Sequence, residues 1–121
     1  MKKHNYIYLG KEKGKRIIYK VGKTTHSCHQ RCSHSDYIIG VGIDIKVPAN
    51  AIYNELDNAE MFIINRFKEK FKVEHGREYF RCPKYNWEMI KELFIIEMIN
   101  YLTTVGLEYE IHEGWTAPHT Y

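Results

Sequence analysis

The sequence predicts an α+β fold with a small central antiparallel β-sheet flanked by helices. Three observations lead there. Residues 6–21 carry two β-rich segments around a polar turn bounded by glycines, the pattern of a hairpin. Two later stretches carry apolar residues at three- and four-residue steps, the period of an amphipathic helix. The resulting order, ββαβααβ, lacks the strict βαβ alternation of a doubly wound parallel sheet. With 121 residues, one domain is expected over 1–121, its core about 5–104, followed by a C-terminal strand or tail over 105–121.

Each element has a local reason. Tyr6-Ile7-Tyr8-Leu9 is rich in β-formers and reads as the first strand. Gly10 to Lys15 is a polar turn, and Arg16 to Val21 is the second strand, which Gly22 is expected to end. Thr24 or Thr25 can then cap a short helix reaching about Ser33. Tyr37–Ile45 reads as the third strand, where Gly40 and Gly42 suggest a bulge or a close backbone approach. Leu56, Ala59, Ile63, Phe67 and Phe71 share one face of a helix over roughly 51–72, unless Asp57 or Asn58 caps a later start. Residues 78–81 form a short extended piece before Pro83. A second helix runs from about Asn86 to Thr103, with Trp87, Ile90, Phe94 and Met98 on one face and Gly106 as its stop. Residues 107–111 alternate as an edge strand, and the last residues, EGWTAPHTY, read as a tail.

Composition narrows the class. Aromatic residues reach 14% and ten are Tyr, which argues against disorder. No run comes near ~18 consecutive apolar residues, so no membrane partner is expected. The first residues lack the apolar core of a secretory signal. Three cysteines, Cys28, Cys32 and Cys82, are too few for a disulfide scaffold and suit a reducing, intracellular (cytoplasmic) setting. The net charge is only +3, but residues 1–35 hold nine Lys and Arg against one acid. A basic N-terminal third is the footprint of a polyanion binder, although a charge run alone is also what a solvated strand and turn look like.

Four constellations could carry chemistry. In the hairpin, Tyr8 and Lys20 fall on neighbouring strands, and Arg31 follows on the short helix. A phenol can orient or deprotonate a water, while Lys and Arg stabilise charge developing on a phosphate. The bland alternative is a packed cross-strand Tyr8 with solvated cations. Glu60 lies three, four, seven and eleven residues before Ile63, Ile64, Phe67 and Phe71, so it shares their face. A carboxylate there suits a divalent cation, the bland alternative being a rim residue or a salt bridge to Arg31 or Arg66; Glu55 and Asp57 fall elsewhere and read as solvated. His26, Cys28, His29, Cys32 and His34 are zinc-type residues, but no second cluster completes a closed site. Finally, His75 to Phe80 offers Arg77 for a phosphate and Glu78 as a second carboxylate.

Taken together, YIYLG (6–10), YKVGKTT (19–25), Arg31, AEMFIINRFKEKF (59–71) and GREYF (76–80) resemble the GIY-YIG nuclease superfamily, in the compact form found in phages and large DNA viruses. Ile7-Tyr8 matches the end of the first motif, and Lys20-Val21-Gly22 sits at the second. The resemblance spans roughly residues 5–81. It implies a central antiparallel sheet flanked by helices and Mg²⁺- or Mn²⁺-dependent hydrolysis of DNA phosphodiester bonds. Carried over, Tyr8 is the catalytic Tyr, Arg31 binds the scissile phosphate and Glu60 is the metal ligand. Two departures stand out. Tyr6 replaces the Gly of the first motif, and Lys20 replaces the Tyr of the second. The latter removes one candidate base and shifts proton transfer to Tyr8 or a metal-bound water.

The expected catalytic set is therefore Tyr8, Lys20, Arg31 and Glu60, with Lys11, Lys13, Lys15, Arg16, Lys23 and Arg77 on the DNA backbone. Nothing in the sequence resembles a separate recognition module, so intrinsic sequence specificity is expected to be low, and a homodimer or a targeting partner protein could supply it. A viral origin would extend the location to a nucleus or viral factory. The rival from another class is a nucleic-acid-binding module on the same fold with little or no cleavage. A third is a protein-interaction domain whose basic strip is incidental.

Overall fold

A computed structural model of the protein describes residues 5–12, 18–24, 37–46, 55–76 and 79–116. In chain order these form β1 (Tyr6–Glu12), β2 (Ile18–Thr24), β3 (Tyr37–Lys46), α1 (Glu55–Lys70), β4 (Lys72–His75), β5 (Tyr79–Arg81), α2 (Trp87–Val105) and β6 (Glu108–Thr116). The six strands make one sheet in the spatial order β4-β5-β2-β1-β3-β6, and every pairing is antiparallel. The class is α+β, as the sequence predicts.

Strand alternation gives the sheet two different faces. Ile7, Leu9, Tyr19, Val21, Val41, Ile43, Ile45 and Phe80 point to one side. There they pack with Ala59, Ile63, Ile64 and Phe67 of α1 and with Ile90, Phe94, Met98 and Leu102 of α2. Each of the Val, Leu, Ile, Phe and Met side chains contributes about 1.5–3 kcal/mol when fully buried. Tyr6, Tyr8, Ile18 and Asp44 are also buried but lie outside that cluster, on the other face. The two helices are tied together by Arg66 Nε donating to Glu97.

Several boundaries differ from the sequence prediction, each through pairing. β2 does not end at Gly22; opposite Tyr8 and Tyr6 it continues to Thr24, so Thr24 ends a strand. The short helix expected after it lies outside the described residues. α1 stops at Lys70, not 72, and Phe71 stays buried while Lys72 enters β4, a strand the periodicity did not indicate. Pairing with β5 carries that four-residue strand. At the other end, β6 runs to Thr116 along β3, so the first part of the expected tail is strand. The irregularity expected at Gly40 and Gly42 is a register shift between them in the β3–β6 ladder. α2 follows its sequence signals closely: Met89 N–H donates to the Asn86 side chain at 2.9 Å, and Gly106 closes the helix at φ 77°.

Candidate functional site

The hairpin brings Tyr8 and Lys20 to one face. Tyr8 stands opposite Gly22 on β2 and Gly42 on β3, and Gly10 stands opposite Lys20 and Gly40. Gly22 leaves room for the Tyr8 ring to lie across β2. A Cβ at Gly22 would come within 2.6 Å of Tyr8 Oη and 2.7 Å of Cζ. Gly22 is thus required for space, whereas the glycines with positive φ among the described residues are Gly76 and Gly106. The Lys20 ammonium sits 5.9 Å from the Tyr8 ring centroid and 5.4 Å from that of Tyr79 on β5. Both are within the range of cation–π attraction. Tyr8 itself is 1% exposed.

Glu60 has a different neighbourhood. It sits on α1 beside the buried Ala59, at the rim of the helix-covered face. Lys23, opposite Ile7 and so on that same face, brings its Nζ to 4.0 Å from Glu60 Oε1. The same ammonium pairs with Asp57. Asp57 is therefore not merely solvated: it and Glu60, one turn apart, share a cation. Arg66, one of the two salt-bridge partners considered for Glu60, pairs with Glu97 and Glu69 instead. Lys23, expected on the DNA backbone, is the basic residue that joins Glu60.

The described contacts thus form two groups, Tyr8–Lys20–Tyr79 on one face and Lys23–Asp57–Glu60 on the other. Arg31, Lys13, Lys15, Arg16, Arg77 and Glu78 lie outside the described residues, as does the His26–His34 cluster. Lys11 is half-buried on β1, opposite Tyr19 and Ile39. Among the described residues, no group of three or more His, Cys, Asp and Glu converges as a metal site.

Tyr19, next to Lys20, takes no part in either group. It points into the core, is fully buried and stacks on Trp87 at 6.3 Å. Burial, and then the nearby Cys82, push its phenol above the usual tyrosine range. Its hydroxyl finds no hydrogen-bond partner among the described residues. Tyr79 and Asp57 are the site residues that sequence reasoning missed. The signals were present in the GREYF element, which places Tyr79 beside the second strand, and in the three-residue offset from Asp57 to Glu60.

By its fold the chain is an α+β domain with one six-stranded antiparallel sheet and, among the described residues, helices on one face. No family model, curated protein or solved structure matches it. Among the described residues, no helix is long and apolar enough to cross a membrane.

Proposed function

We propose that this chain is a small divalent-metal-dependent endonuclease of GIY-YIG type that hydrolyses DNA phosphodiester bonds. The supporting observation is the seat of Lys20 over the Tyr8 ring, which itself lies against Gly22. In this reading Lys20 and Arg31 hold the scissile phosphate and Tyr8 takes a proton from the attacking water. Glu60 would hold Mg²⁺ or Mn²⁺, with Asp57 the nearest second carboxylate. Hard oxygen donors, one or two per site, are what these ions take from proteins. The bound ion would stabilise charge developing on the phosphoryl oxygens. Lys23 fixes both carboxylates in the meantime and so orients Glu60.

The test is nicking of supercoiled plasmid with Mg²⁺ or Mn²⁺ and with EDTA. Metal-dependent nicking that falls by about 10²-fold or more in both Tyr8→Phe and Glu60→Ala supports the enzyme. Nicking that persists in both variants refutes the assignment of the site.

One set of observations favours the second reading, a nucleic-acid-binding module with little or no cleavage. Tyr8 is 1% exposed, and Glu60 belongs to the opposite face of the sheet. Strongly salt-dependent DNA binding without nicking in either metal would decide for the module.

A further inference from the structure

We infer that the outer margin of the sheet, across β2, β5 and β4, is a track for the phosphates of a nucleic-acid strand, built by Lys20, Arg81 and Lys72 with Tyr79 between them. This rests on the reading of the chain as a protein that acts on nucleic acid, and it names two cations, Arg81 and Lys72, that the sequence reading did not assign.

The placement follows from register. Lys20 pairs with Tyr79, and Arg81 pairs with both Ile18 and Lys72. Directly opposed residues share a face, and so do residues two apart on one strand. Lys20, Tyr79, Arg81 and Lys72 therefore point to the same side. The intervening residues confirm that this is the side away from α1 and α2. Phe80, between Tyr79 and Arg81, is fully buried in the core, and Val73, next to Lys72, packs against that core.

The spacing suits a strand. Neighbouring strands lie about 4.8 Å apart. Lys20 and Arg81 are diagonal neighbours, about 7–8 Å apart at the backbone. Lys72 extends the line by one further strand, to the edge of the sheet at β4. Arg81 and Lys72 are exposed, while Lys20 and Tyr79 are half-buried. The Lys20 ammonium is held between two rings, 5.4 Å from Tyr79 and 5.9 Å from Tyr8. Such a cation is fixed in place before any ligand arrives. The track therefore begins at the Tyr8–Lys20 group and leads a strand away from it.

The test is fluorescence anisotropy on fluorescein-labelled oligodeoxythymidylate of about 15 nucleotides and on a duplex of the same length. It is run in EDTA from about 50 to about 200 mM salt. The variant is Arg81→Ala/Lys72→Ala. Its control is Lys68→Ala/Lys70→Ala, which removes the same charge from the exposed side of α1. Loss of two phosphate contacts reduces the slope of log K against log salt by about 1.4 on the single strand or about 1.8 on the duplex. The control leaves the slope unchanged, and Arg81→Lys/Lys72→Arg restores it. Equal effects from variant and control, or no change in the variant while the wild type binds, overturn the track. Nicking that persists beside such a result leaves the nuclease reading standing. A reduced slope without any nicking keeps the track and removes the nuclease. Absence of binding by the wild type removes both.

Discussion

Gly22→Ala is the most direct probe of the hairpin site. The added Cβ would lie 2.6 Å from Tyr8 Oη, 2.7 Å from Cζ and 3.0 Å from Cε2. Carbon atoms in good contact stand about 3.5–4.0 Å apart, so the tip of the ring must move by about 1 Å. Tyr8 is 1% exposed, and such a shift is resisted by everything packed on it. Overpacking of this kind costs about 1–3 kcal/mol, and the smaller entropy of an unfolded Ala chain returns about 0.4–1 kcal/mol. The net loss is about 1–2 kcal/mol, or roughly 4–10 °C in Tm for a chain of this size. Urea unfolding followed by far-ultraviolet circular dichroism reads it as a lower midpoint at unchanged m. A double-mutant cycle with Tyr8→Leu isolates the clash. The shorter side chain makes room for the methyl, so the coupling is at least about 1 kcal/mol. A Gly22→Ala protein within about 0.5 kcal/mol of wild type, or additive variants, would refute the packing of Tyr8 over Gly22.

Three further outcomes are expected. Gly106→Ala destabilises by about 1–2 kcal/mol, because position 106 needs φ 77° although nothing crowds it; Asn at that position recovers part of the loss in a thermal melt. Burial pushes the Cys82 thiol up to about 12. The folded state therefore keeps the proton while the unfolded chain ionises above about pH 8.5, so stability is full below that pH and falls by up to about 1.4 kcal/mol per pH unit towards 12. In a Cys28→Ser/Cys32→Ser background a thiol reagent should leave the native protein unmodified at neutral pH and react on unfolding, and rapid native reaction would contradict the burial. On the β3–β6 ladder, Lys46 Nζ lies 3.2 Å from both Asp44 Oδ2 and Glu110 Oε2. Its hydrogen bond, and then its charge, hold Glu110 below the usual carboxylate range, and the same bonds raise Lys46. The stabilisation by Glu110 is present above the ordinary carboxylate pKa and lost as pH falls through the lowered one; that by Lys46 is lost as pH rises through its raised pKa. Glu110→Gln should flatten the acid limb of stability against pH, and an unchanged limb would count against the pairing.

The elements that could be read from sequence are those whose signal is local. α2 has an Asn cap, a regular apolar face and a glycine stop, and all three act within one segment. The hairpin has its two β-rich segments, although Gly10, read as the start of the turn, lies inside β1 opposite Lys20. β4 has no such segment: Lys72 reads as the end of the preceding helix, and residues 73–75 carry no strand signal until β5 is there to pair with them. The far half of β6 was missed for the same reason, since its partner β3 lies some seventy residues earlier. Tyr8 and Lys20 were legible as neighbours because a hairpin fixes which residues face each other. Asp57 was not, because its pairing depends on where α1 lies against the end of β2.

That dependence bears on the site itself. Alternation sends Tyr8 and Lys20 to one side of the sheet and Lys23 to the other, and the apolar stripe of α1 takes Glu60 to the side of Lys23. The two groups are nevertheless adjacent in the chain. The Tyr8 ring lies over Gly22, and the next residue, Lys23, engages Asp57 and Glu60. A strand residue cannot turn its side chain through the sheet, so only backbone movement at the end of β2 can bring one group towards the other. Gly22 is the residue best suited to absorb it, having no side chain, and Tyr8 is the group that would report it.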